Sequence, residues 1–208
     1  MPDWDDIFAK KGKFFTKPHP DMERLANLFS EKGVRRILDL GCGTGRHLLF
    51  LLKKGFEVYG LDGSPNGLEI TKNWLIAENL SAELTCQKIE HEFPYIDGFF
   101  DAVISIQVMH HNLMKDIMIT VNEIKRILKP EGFIFLTFPL LQNFYNMLDK
   151  MEKVETGTYI PLTGEEKGLA HHFFTVAEIK RVFRTFNLTE IYIDETNHRA
   201  ILGQKMEM

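Results

Sequence analysis

The chain has 208 residues, 44% of them hydrophobic and 26% charged, the balance of a globular domain with a sizeable core and not of a disordered, collagen-like or disulfide-framed chain. Lys and Arg total 25 against 29 Asp and Glu, a net charge of −4, which argues against a protein that coats nucleic acid. Cys42 and Cys86 form no C-x-x-C pair and read as free thiols, Cys42 in a tight loop and Cys86 buried in a strand; without an apolar leader or a run of about 18 apolar residues, a cytoplasmic protein with no membrane span is expected.

Residues 1–31 carry Trp4, Phe8, Phe14 and Phe15 among Lys10, Lys11, Lys13 and Lys17, with a helix expected from about Asp21. Aromatics between lysines suit single-stranded nucleic acid, or plain packing with solvated lysines. Residues 34–40 (VRRILDL) form a short apolar run stopped by Gly41, the pattern of a buried parallel strand. A helix follows over 45–54, with His47 packing or capping on it, then a strand over 56–61. Ser64 and Pro65 open the next helix as N-cap and first turn. Residues 82–86 and 100–106 read as strands three and four. Met114, Ile117, Val121, Ile124 and Leu128 mark one apolar helical stripe, ended by Pro130 and Gly132 before a fifth strand over 133–138. Thr175 and Glu178 form a capping box for a last helix, and residues 188–194 and 199–204 pair as terminal strands. Repeated strand–helix–strand units give an α/β protein with a doubly wound sheet. Residues 140–172 stand outside this alternation as a cap-like insertion. In it Phe144, Met147, Leu148 and Met151 make a short helical stripe, and the polar, glycine-rich stretch 152–169 reads as a mobile loop.

The first strand runs into Asp39-Leu-Gly41-Cys-Gly43-Thr-Gly45. Glycines here let the backbone turn sharply and approach a ligand at a helix N-terminus. Asp62, at the end of strand two, is placed to accept hydrogen bonds from ribose hydroxyls, so a nucleoside-containing cofactor is expected. A dinucleotide fingerprint needs a glycine where Arg46 stands. Asp39 would also repel a pyrophosphate while suiting a cationic amino acid head group. A nicotinamide oxidoreductase is therefore disfavoured.

These residues resemble the first motif of class I S-adenosylmethionine-dependent methyltransferases. Tyr59-Gly-Leu-Asp62-Gly63-Ser resembles the second, Phe100 to His111 the fourth-strand motif, and Arg126-Ile-Leu-Lys-Pro130-Glu-Gly132 the turn into strand five. Chain size and layout are similar to small members of the superfamily, including the tellurite-resistance type. The resemblance implies a single Rossmann-like domain over 1–208, with a seven-stranded, mostly parallel sheet, an antiparallel last strand and helices on both faces. It implies S-adenosyl-L-methionine as cofactor. Asp39, Gly41, Gly43 and Gly45 would hold its methionine part, Asp62 and Gly63 its ribose, and Gln107 would lie near the sulfonium. The family often places an acid against the adenine amino group; here Lys88 or Ile89 falls at that position, leaving the backbone around Ile89, or Glu90 from a shifted loop. The N-terminal stretch becomes a lid over the cofactor.

Methyl transfer from a sulfonium needs alignment more than a triad, and a base only where the acceptor carries a proton of high pKa. His110 and His111 follow strand four, and His171 and His172 close the insertion. Adjacent histidines point apart, so one of each pair is expected in the pocket, with His111 and His172 as the catalytic candidates. Neither pair has the usual spacing of metal ligands on one face, so no metal is expected. The first hypothesis is a methyltransferase of a small-molecule acceptor, a monomer or homodimer with nucleic acid an unlikely partner. The alternatives are a methyltransferase of RNA or protein and a non-catalytic cofactor-binding regulator.

Overall fold

A computed structural model describes residues 4–13 and 15–207. Phe14 of the aromatic–lysine stretch lies outside the described residues. Helices α1 (Trp4–Lys11) and α2 (Met22–Glu31) precede strand β1 (Arg36–Leu40). Then follow α3 (Arg46–Lys53), β2 (Glu57–Asp62), α4 (Pro65–Ala77), β3 (Glu83–Cys86), β4 (Phe100–Ile106), α5 (Met114–Ile127) and β5 (Leu128–Pro139). The insertion supplies β6 (Met151–Glu155), β7 (Thr158–Pro161) and β8 (His171–His172). The chain ends with α6 (Val176–Val182), β9 (Phe186–Ile193) and β10 (His198–Lys205).

The main sheet has seven strands in the order β3-β2-β1-β4-β5-β10-β9, with β10 antiparallel to both neighbours. This is the expected Rossmann-like architecture. Its central strands are apolar on both faces because helices cover both. Leu38, Leu40, Val103, Ile134 and Leu136 face α5 and α6, while Ile37, Ala102, Ile104, Phe133 and Phe135 face α2 and α3. Strand pleating alternates these sets residue by residue. Ser64 caps α4 by accepting from the Gly67 N–H at 2.9 Å, and Thr175 caps α6 by accepting from Glu178 N–H at 3.1 Å.

Two local expectations are corrected. Cys86 is exposed, because β3 is the sheet edge and only one side of it is covered. The stretch 152–169 is not a featureless loop: β6 and β7 pair as an antiparallel hairpin and β8 adds to β7. Its polar composition concealed the pairing. The preceding 3-10 segment, Leu141–Lys150, leaves Met147 exposed while Met151 is buried in β6.

Candidate functional site

A cavity of about 400 Å³ opens above the C-terminal ends of β1, β2 and β4, where a sheet of this order reverses direction and binds ligands. One end is built by the glycine loop. Gly41 has φ +76°, and a Cβ there would sit 2.4 Å from the Val108 side chain; Gly45 has φ +87° with Thr71 at 2.7 Å. Only glycine takes that turn at that closeness. The Gly43 N–H donates to Asp62 Oδ2 at 2.7 Å, and Ser64 N–H to Oδ1 at 2.8 Å. The two bonds fix the carboxylate and leave each oxygen lone-pair capacity for a further donor. Burial raises the Asp62 pKa, which these backbone bonds oppose.

Helix α1 lies over this end. Asp5 accepts from Ser64 Oγ at 2.6 Å, from Asn66 N–H at 2.9 Å and from Asn66 Nδ2 at 2.8 Å. Phe8 packs within 3.1 Å of where a Gly43 Cβ would stand, and the Trp4 ring meets the His111 ring edge-on at 5.3 Å. Lys11 pairs with Glu165 of the insertion. Of the lysines nearby, Lys13 covers the Trp74 ring at 3.8 Å.

Gly41, Gly43, Asp62, Gly63, Ile89, Glu90, Gln107 and His111 all line the cavity. Asp39 and Gly45 do not. Asp39 is buried behind the loop, accepts from the Leu48 backbone N–H in the first turn of α3, and is pushed up to about 7 by that burial against the opposing pull of Arg46. Its Oδ2 has no hydrogen-bond partner. The segment after β3 is braced from α5: Thr120 Oγ1 donates to the Ile89 carbonyl at 2.8 Å, and Arg126 to the carbonyls of Phe93 and Tyr95 at 2.9 and 2.7 Å. Gln107 holds a left-handed φ of +61°, its N–H on Thr137 Oγ1 at 3.0 Å and its Nε2 3.3 Å from His198 Nδ1. A non-glycine residue in that conformation is the kind of local strain found at functional sites.

The other end is built by histidines. His110 and His111 form a 3-10 turn after β4, and β8 brings His171 beside them, with ring centroids 4.8 Å from His111 and 5.7 Å from His110. His172 does not face this cavity, which corrects the expectation that it would. It is fully buried, with Nδ1 2.7 Å from Thr158 Oγ1 and Nε2 3.2 Å from Glu178 Oε2. Neighbours on a strand point to opposite faces, and β8 turns His171 inward. Burial, then the neighbouring His171, hold His111 down to about 4, so its ring is neutral near pH 7. Glu166 and His198 also line the cavity and carried no local signal in the sequence; His47, expected only to pack or cap on its helix, lines it too, and Asp5 was hidden within an acidic N-terminal run.

The methyltransferase domain family matches residues 38–136, which span β1 to β5 and the loops just described. A glycine/sarcosine N-methyltransferase of Parasynechococcus marenigrum is 31% identical over 159 residues, 74% of this chain and 51% of that protein. A methyltransferase of Streptomyces halstedii is 30% identical over 61% of this chain and 44% of its own length. The chain spans about half the length of the curated relatives it matches. Among solved structures, a S-adenosylmethionine-dependent methyltransferase of Methanosarcina mazei superposes with a TM-score of 0.76 at 20% identity, over 92% of this chain and 100% of that one.

Proposed function

Because the chain belongs to the class I S-adenosylmethionine-dependent methyltransferases, with S-adenosyl-L-methionine as its cofactor, we propose that it methylates a small-molecule acceptor held at the histidine end of the cavity. The observation that carries this reading is the enclosure: α1 and residues Phe144, Glu166 and Leu169 of the insertion line the same cavity as the glycine loop. Such walls suit a compact acceptor. No helix among the described residues is long and apolar enough to cross a membrane.

The residues present fit the cofactor. Asp62, oriented by two backbone N–H groups, would accept from both ribose hydroxyls. The backbone at Lys88, Ile89 and Glu90 would flank the adenine, with Ile89 supplying an apolar face. Gly41 and Gly43 would let the main chain approach the amino acid part, and Gln107 would lie beside it. Asp39 acts from behind, holding α3 and supplying a negative charge to that end once ionised. When bound, the cofactor supplies a sulfonium-activated methyl group, open to in-line displacement. The remaining work falls to positioning: His111 and Trp4 wall the acceptor side, and α1 excludes water.

Two measurements test the reading. Calorimetry with S-adenosylhomocysteine gives one site per chain and no response to NAD. Incubation of a metabolite extract with methyl-labelled cofactor places the label in a low-mass product. Label that appears only in RNA or protein overturns the small-molecule acceptor.

A further inference from the structure

Among the described residues, His110, His111 and His171 each offer a ring nitrogen within 4.8 Å of the other two. Three features distinguish this group from three packed rings. His111 Nδ1 lies 3.2 Å from the Ala170 carbonyl, an acceptor only, so Nδ1 carries the hydrogen and Nε2 keeps its lone pair. His171 Nε2 pairs with Glu166 Oε2 at 3.1 Å, which leaves its Nδ1 buried and without a partner. His110 Nδ1 is likewise buried and unpartnered. Buried polar nitrogens without partners are costly, and one cation sharing their lone pairs would satisfy all of them.

We propose that His110, His111 and His171 bind one late first-row divalent metal ion of the zinc type at the acceptor end of the cavity, with a fourth position open to the acceptor. Neutral imidazoles favour zinc, cobalt or nickel over magnesium or calcium, which take oxygen ligands. Tetrahedral binding at about 2.0–2.1 Å sets the nitrogens roughly 3.3 Å apart, so the rings close by about 1.5 Å at most. Glu166, beside His171, is the outer carboxylate that orients a ligating imidazole and offsets the ion's charge. The Ala170 carbonyl does the same for His111. Three protein ligands and one open position are the arrangement of catalytic and not structural zinc.

Resting on the proposed function, this assigns the acceptor a chemical class: a small molecule with a hydroxyl or thiol that ligates the metal. A metal there would lower that group's pKa and release its proton to water, and the resulting oxygen or sulfur anion would bond to the methyl carbon as the carbon–sulfur bond of the sulfonium breaks, with neutral S-adenosylhomocysteine as the leaving group. No side chain then has to act as a strong base.

The test uses metal-free full-length protein titrated with Co²⁺ alone, read by visible absorption, and with Zn²⁺, read by imidazole ¹⁵N–¹H spectra. The expected result is one Co²⁺ per chain with the intense bands of a tetrahedral site. Three of the eight histidines change on equimolar Zn²⁺. His171→Ala and His111→Ala weaken Co²⁺ binding at least 100-fold and keep S-adenosylhomocysteine affinity within about threefold. Stoichiometric binding that persists in both variants, or no histidine shift in the wild type at equimolar Zn²⁺, overturns the proposal. The ¹⁵N measurement needs no variant and stands if a variant fails to fold. Calorimetry with S-adenosylhomocysteine on the same sample separates the two readings: cofactor binding without metal removes only this inference, and metal binding without cofactor removes only the proposed function.

Discussion

The cofactor end of the cavity takes Gly41, Gly43, Asp62 and Gly63 from a single β1–α3–β2 unit and ties them together with main-chain hydrogen bonds. The acceptor end takes His110 and His111 from the turn after β4 and His171 from β8, about 60 residues further along, and joins them by ring packing and one contact from His111 to the Ala170 carbonyl. A dense net of backbone donors makes the first end rigid before any ligand arrives. The second end keeps unpartnered nitrogens and depends on the insertion folding back over the sheet. On the proposed function, the first end would hold the cofactor and the second the acceptor.

That contrast breaks most readily at the acceptor end. His171→Ala is expected to lower turnover by about 10²–10⁴-fold, with cofactor affinity preserved; single-turnover methyl transfer alongside calorimetry reads both. Equal losses in the two would merge the ends into one cooperative unit. Asp62→Ala removes charged hydrogen bonds worth about 1.5–3 kcal/mol. Affinity for S-adenosylhomocysteine then falls by roughly 10- to 100-fold at 1.4 kcal/mol per decade. The free protein also melts earlier, because the N–H groups of Gly43 and Ser64 lose their acceptor.

His172→Ala sharpens the contrast within β8. It breaks two buried contacts, to Thr158 and Glu178, and a cost of about 2 kcal/mol lowers the melting temperature by roughly 4–8 °C. Turnover per folded molecule stays within about twofold, unlike that of His171→Ala. A large loss of turnover with an unchanged melt would return His172 to the site.

The smallest effect is in pH. His111 is held down to about 4, below its ordinary value of 6.5. The folded protein therefore resists a proton that the unfolded chain takes up, and the contribution is present above pH 6.5 and lost as pH falls toward 4. The melting-temperature gap between wild type and His111→Gln should shrink across that window. A gap that widens on acidification would mean His111 is protonated in the fold.

The alternation of apolar runs with glycine and proline stops, the glycine loop and the acid after strand two were legible along the chain because each is a local pattern. Leu38 and Leu40 read as a strand from neighbours alone, and Gly41 and Asp62 are linked through adjacent strands. Tertiary structure alone decided the rest. Which histidine of β8 faces the cavity depends on the register of a hairpin whose partners lie in polar sequence, and a shift of one residue would exchange His171 for His172. Cys86 is exposed because β3 is an edge, a property of strand order and not of the strand's residues. Asp39 stands behind the loop, where it accepts from the Leu48 N–H in the first turn of α3. Local sequence fixes the elements and the cofactor end, whereas the three-histidine group exists only where two distant turns are folded onto the same sheet edge.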